Sequence, residues 1–79
     1  MKLPRDLSGN QLISVLKRLG YKQTRQTGSH VRMTILFPQQ AHLTVPLLRP
    51  IPPGTLAAIL KDAAVHLDTT VEEILKRVS

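Results

Sequence analysis

Thr27-Gly28-Ser29-His30-Val31-Arg32-Met33-Thr34-Ile35 is the stretch on which the fold turns. Val31, Met33 and Ile35 alternate with His30, Arg32 and Thr34. Successive side chains of a strand point to opposite faces, so the first set faces a core and the second faces outward. Gly28 supplies the backbone conformation that side-chain-bearing residues resist. We therefore read Thr27-Gly28 as the turn of a hairpin, with His30 at its mouth beside Arg32. A two-residue turn at that place sets Arg25 opposite His30. Ser29 shapes the turn. It does not pair with His30 as a nucleophile, because adjacent strand residues diverge.

Working outward, Tyr21 to Gln26 reads as the first strand and His30 to Phe37 as the second. Pro38-Gln39-Gln40 is a turn. His42-Leu43-Thr44-Val45 alternates again, with Leu43 and Val45 inward, and Pro46 ends the strand. Phe37 is expected in the core or at a strand edge. Before the strands, Ser8 and Gln11 have the spacing of a capping box, and Leu7 and Leu12 that of a hydrophobic staple. Leu12, Val15, Leu16 and Leu19 form one apolar stripe. Gly20 stands where a helix terminator belongs, which predicts a helix from about Gly9 to Leu19. After the strands, Pro50, Pro52 and Pro53 lie in a loop. Pro53 suits the first turn of a second helix, read to about Val65 with Leu56, Ile59, Leu60 and Ala63 on its apolar face. Thr69 with Glu72, or Thr70 with Glu73, caps a short third helix marked by Val71, Ile74, Leu75 and Val78.

The order is helix, three antiparallel strands, helix, short helix. Both long helices have one apolar stripe, and the sheet has one apolar face. Packing the helices together on that face leaves the other open. This is an α+β layout of the double-stranded-RNA-binding-domain kind. His30, Arg32, Thr34, His42 and Thr44 would point to the open side.

Composition narrows the function. The chain has 79 residues, room for one domain, and 42% of them are hydrophobic. It has no cysteine, which excludes disulfides and thiolate metal sites. Its start lacks the apolar run of a signal peptide, and no uncharged apolar stretch is long enough to span a bilayer. A cytoplasmic protein is expected. Eleven Lys and Arg against five Asp and Glu give a net charge of +6. A domain this basic attracts polyanions, of which nucleic acid is the commonest in a cell. An acidic protein partner fits the same charge.

Several pieces together resemble the HicA toxin family, the small mRNA interferases of bacterial and archaeal toxin–antitoxin pairs. They are Leu19-Gly20-Tyr21 at a helix end, Gly28-Ser29-His30 opening a strand, Thr44-Val45-Pro46 closing the third strand, and Ile51-Pro52-Pro53-Gly54-Thr55-Leu56 leading into a helix with Ile59-Leu60. The resemblance covers about residues 8–65; the domain core is read as about 8–66, followed by a C-terminal helical extension at about 68–79. It implies ribonuclease activity and a cognate HicB-like antitoxin that covers the active site. It also implies that His30, in the Gly-Ser-His motif, is catalytic. The chain departs from the family pattern in three places. Leu47-Leu48 follows Pro46 where a polar residue or histidine is common. Ala64-Val65-His66 stands where a glycine is common, and the tail is longer. These differences bear on the antitoxin interface or on self-association and leave His30 untouched.

The residues suit that chemistry. Metal-independent RNA cleavage uses the ribose 2′-hydroxyl as nucleophile, a proton-transfer group and a positive charge at the phosphate. His30 fits the proton-transfer part, because imidazole titrates near neutral pH. Arg32 or Arg25 fits the charge-stabilising part. Lys17, Arg18 and Lys22 are further candidates for holding the RNA backbone. Metal chemistry is not expected: Glu72 and Glu73 diverge on a helix, Asp6, Asp62 and Asp68 are scattered, and the histidines lack ligand spacing. No cofactor motif is present. Base stacking is not expected either, with Tyr21 and Phe37 the only aromatics. His42 and His66 read as structural or surface residues, with His42 a distant candidate for a second catalytic group. Two functions therefore stand: an endoribonuclease toxin using His30, and a non-catalytic basic RNA-binding module of the same fold. A weaker third is an adaptor for an acidic protein.

Overall fold

The computed structural model describes residues 6–77. Its elements are α1 (Gly9–Arg18), β1 (Lys22–Thr27), β2 (His30–Ile35), β3 (Ala41–Pro46), α2 (Pro53–His66) and α3 (Val71–Leu75). The three strands form one antiparallel sheet in the order β1-β2-β3. The architecture is α+β of the double-stranded-RNA-binding-domain kind, as the sequence predicts.

Local chemistry accounts for α1 at both ends. Ser8 Oγ accepts from the Gln11 N–H at 3.2 Å, and Gln11 Oε1 accepts from the Ser8 N–H at 2.8 Å, a complete capping box. Leu7 and Leu12 on either side are both buried. At the other end Leu19 is the C-cap and Gly20 follows with φ +112°. The Gly20 N–H donates to Lys17 O at 3.2 Å and the Tyr21 N–H to Leu16 O at 3.0 Å. This is a Schellman motif, with Tyr21 and Leu16 as its apolar pair.

α2 starts at Pro53, and the prolines before it cost no helical hydrogen bond. For α3 the structure selects the second of the two expected caps. Thr70 Oγ1 accepts from the Glu73 N–H at 3.2 Å, while the Glu73 carboxylate turns to Lys76 Nζ at 3.1 Å. The box is therefore only half made. Val78, expected on the stripe of this helix, lies outside the described residues.

The core is one cluster. Leu12, Ile13 and Leu16 of α1, Val31, Met33 and Ile35 of β2, Leu43 and Val45 of β3, and Leu56, Ile59 and Leu60 of α2 all bury in it. Ile74 of α3 and Ile51 of the loop close it. Gly9 fastens the helical layer to the sheet. Its N–H donates to Leu48 O at 2.9 Å, and a Cβ there would overlap the Pro46 carbonyl and stand 2.9 Å from Leu47 Cα. The Ile51 N–H donates to Leu7 O at 2.9 Å, so the loop after β3 is tied to the start of α1 twice.

Two expectations are corrected. The hairpin turn is Gly28-Ser29, not Thr27-Gly28, and Thr27 pairs with His30. Gly28 has φ +57° while Ser29 keeps a negative φ, the sign pattern of a type II′ turn. That one-residue shift of the turn sets Arg25 opposite Arg32 rather than opposite His30, and a bulge between Gln23 and Arg25 then sets Lys22 opposite Thr34. In addition, β2 stops at Ile35, and Phe37 is 81% exposed rather than core or strand edge. Ile35 is the last residue to pair with β3, opposite Ala41. Beyond it the chain leaves the sheet for the Pro38 loop, where no second layer covers it.

Candidate nucleic-acid interface and active site

The outward side chains of the sheet form rows across its open face. The first row is Thr27, His30 and Pro46, and the second is Arg25, Arg32 and Thr44. Rows two residues apart along a strand are separated by about 6.7 Å. All four polar residues flanking His30 in these rows are exposed, as is His30 itself. Arg25, Thr27, His30, Arg32 and Thr44 line one open depression of about 190 Å³. That is smaller than the 300 Å³ or so at which small-molecule clefts begin. It is shaped to touch part of a long ligand lying over the sheet.

The mount of His30 is firm. The Ser29 carbonyl accepts from the Leu47 N–H at 2.7 Å, which carries the β2–β3 ladder past Pro46. The Gly28 carbonyl accepts from Gln26 Nε2 at 3.1 Å across the turn. The turn is thus held from both flanking strands. His30 stands one residue beyond it, with no hydrogen bond to its ring among the described residues.

The electrostatics of the depression are one-sided. Arg25 and Arg32 sit directly opposite each other on neighbouring strands. Like charges in that relation repel. Neither has a carboxylate within salt-bridge distance, since the single ion pair among the described residues is Lys76–Glu73 on α3. Two guanidinium groups brought together without a counter-charge make a place for an anion.

The other candidates divide. Lys22 lies on the same open face, opposite Thr34. Lys17 and Arg18 do not: they occupy the last turn of α1, in the layer that covers the other side of the sheet. Arg18 Nη1 donates to Arg77 O at 3.5 Å, toward α3. His66 is half-buried, and its Nδ1 lies 2.8 Å from Tyr21 Oη. Burial, and secondarily the negative charge of Asp62, pushes the Tyr21 phenol up to about 12. His66 is therefore a core-rim residue. His42 is exposed on the open face, with its Nδ1 2.8 Å from Thr34 Oγ1. Among the described residues no three His, Asp or Glu side chains converge as a metal-binding set.

Sequence reasoning missed the Arg25–Arg32 pair. The turn at Gly28-Ser29 creates it, and the polar run Lys-Gln-Thr-Arg-Gln-Thr has no hydrophobic alternation to fix the register of β1 against β2. A small basic domain with one helical layer and an exposed pair of arginines on the bare face of its sheet has an α+β fold of the double-stranded-RNA-binding-domain kind. The family model described as HicA toxin of bacterial toxin-antitoxin matches residues 9–65 of the 79-residue chain, and the chain belongs to that toxin family. No curated protein and no solved structure shows a match. No helix among the described residues is long and apolar enough to cross a membrane.

Proposed function

We propose that this protein is the toxin of a type II toxin–antitoxin pair and acts as a metal-independent endoribonuclease on mRNA in the cytoplasm. A HicB-like antitoxin holds it silent. The domain that does this is the unit of about residues 8–66, with residues 68–79 as its helical extension. The observation that carries the reading is the placement of His30 beside two uncompensated arginines in one open depression. Membership of the toxin family supports the same reading.

In this mechanism the scissile phosphate lies over Arg25 and Arg32. The 2′-hydroxyl of the preceding ribose attacks the phosphorus, and His30 takes its proton. The new P–O2′ bond forms as the P–O5′ bond breaks, and the departing 5′-oxygen takes a proton from the imidazolium or from water. The products are a 2′,3′-cyclic phosphate and a 5′-hydroxyl. Arg25 and Arg32 stabilise the charge that grows on the non-bridging oxygens. A positioned acid–base group of this kind contributes on the order of 10²–10⁴-fold. Gly28 and Ser29 act by holding His30 in place, and Thr44 offers a hydroxyl to the same phosphate.

The test is induced expression of the wild type beside His30→Ala, with growth and total RNA followed in both cultures. Growth arrest with mRNA loss only in the wild type is the expected result. Arrest by both proteins would move the toxicity to RNA binding or to another residue. No arrest by either would leave a binding module.

A further inference from the structure

The open face continues beyond the depression. The next outward residue of β2 after Arg32 is Thr34, with Lys22 of β1 on one side and His42 of β3 on the other. This third row lies four residues along β2 from His30, about 13 Å away. Thr34 is buried although it faces outward, because its hydroxyl is enclosed by neighbours. Thr24 Oγ1 stands 2.8 Å from Thr34 Oγ1, which stands 2.8 Å from His42 Nδ1.

Thr24 Oγ1 is also 3.4 Å from the carbonyl oxygen of Arg32, which can only accept. Thr24 has one proton to give, to that carbonyl or over the shorter contact to Thr34, so the chain of hydrogen bonds runs in either direction and ends on His42 Nδ1. In both directions Nδ1 is engaged, and the hydrogen-bonding nitrogen left over on the His42 ring is Nε2. That nitrogen has no partner among the described residues, and its residue is exposed. Holding one ring nitrogen to orient the other is how proteins prepare a histidine for a ligand.

We infer that Lys22, Thr34 and His42 form a second subsite for the RNA strand, in which His42 Nε2 shares a hydrogen bond with a ribose 2′-hydroxyl, a group that both donates and accepts, and Lys22 meets the adjoining phosphate. This rests on the nuclease reading of the same face. The nucleotide concerned lies outside the pair joined by the scissile phosphate. The 2′-hydroxyl is what distinguishes RNA from DNA at a contact. The His42 row thus tests the sugar at a place where no bond is cut.

The experiment uses the full chain carrying His30→Ala, so that nothing is cleaved. Its affinity is measured by fluorescence anisotropy for eight-residue single strands of mixed sequence, one all-ribo and one all-deoxy. Adding His42→Asn, which keeps a polar group near the Nδ1 position and removes Nε2, lowers RNA affinity about fivefold and leaves DNA affinity unchanged. This is the worth of one hydrogen bond of about 1 kcal/mol. Thr34→Val, which frees the ring without removing it, lowers the RNA preference in the same direction. Lys22→Ala weakens both strands alike and reduces the salt slope of binding by about 0.7.

An equal loss for RNA and DNA in His42→Asn, or no loss for either, overturns the subsite and leaves the nuclease reading intact. No binding of either strand by the His30→Ala protein overturns both. Unchanged strand binding with a weakened antitoxin complex assigns the row to the protein partner instead, and the subsite fails.

Discussion

The two faces of β2 share one backbone and answer to different demands. Val31, Met33 and Ile35 are at most 3% exposed and lie within the core cluster. His30 and Arg32, one residue away in each case, are exposed and have no carboxylate beside them. The first face holds the sheet to the helices. The second carries an unfavourable pairing of like charges that adds nothing to stability. The lesson is that the cost of the site falls on groups that contribute nothing to the core. Each face can therefore be changed without the other.

The largest effect comes from breaking the core face. Met33→Ala removes a fully buried side chain and costs about 2–5 kcal/mol, read as a lower urea midpoint. RNA cleavage per folded molecule stays as in the wild type. A mutant that loses cleavage beyond its loss of folded protein would show the faces to be coupled.

A smaller effect comes from the titratable group that points into the core side, Tyr21. The folded protein keeps its phenol protonated to about 12, against 10.0 for the ordinary group. Below pH 10 neither state loses the proton, and the contribution of Tyr21 is complete. As pH rises from 10 toward 12 the unfolded chain ionises first, so stability falls. Tyr21 is the only tyrosine in the chain. Urea titrations across this range should therefore show a steeper loss in the wild type than in Tyr21→Phe. Parallel curves would mean that the phenol is not held by burial.

The smallest effect is the most telling, because its two halves have opposite signs. Arg25→Gln relieves the repulsion across from Arg32 and raises stability by a few tenths of a kcal/mol. It lowers RNA affinity and flattens the salt dependence. A variant that lost both stability and affinity would show that Arg25 has a structural partner after all.

What was legible in the sequence follows the range of the interactions. The α1 cap at Ser8–Gln11 and the stop at Gly20 are made by residues within a few positions of one another, so the string carries them whole. The alternation of β2 gave both the buried face and the outward placement of His30. The register of β1 was not legible. It depends on where a two-residue turn settles and on a bulge at Thr24, and β1 buries nothing that would betray a shift. Gly9 escaped notice for a related reason: it is required by β3 and the following loop, about 37 residues later in the chain. Phe37 misled because an aromatic residue after an alternating strand resembles its continuation, whereas the pairing ends at Ile35.

The bulge at Thr24 has a bearing on what happens between molecules. β1 is an edge strand, with one side of its backbone free to recruit another sheet. A small protein with a flat, uncharged edge would be prone to stack into fibres as its concentration rose. Here the bulge breaks the regular spacing of that edge, and Lys22 and Arg25 place charge along it. Exchanging both cations for neutral residues is expected to raise self-association, read by light scattering as an apparent mass that grows with concentration.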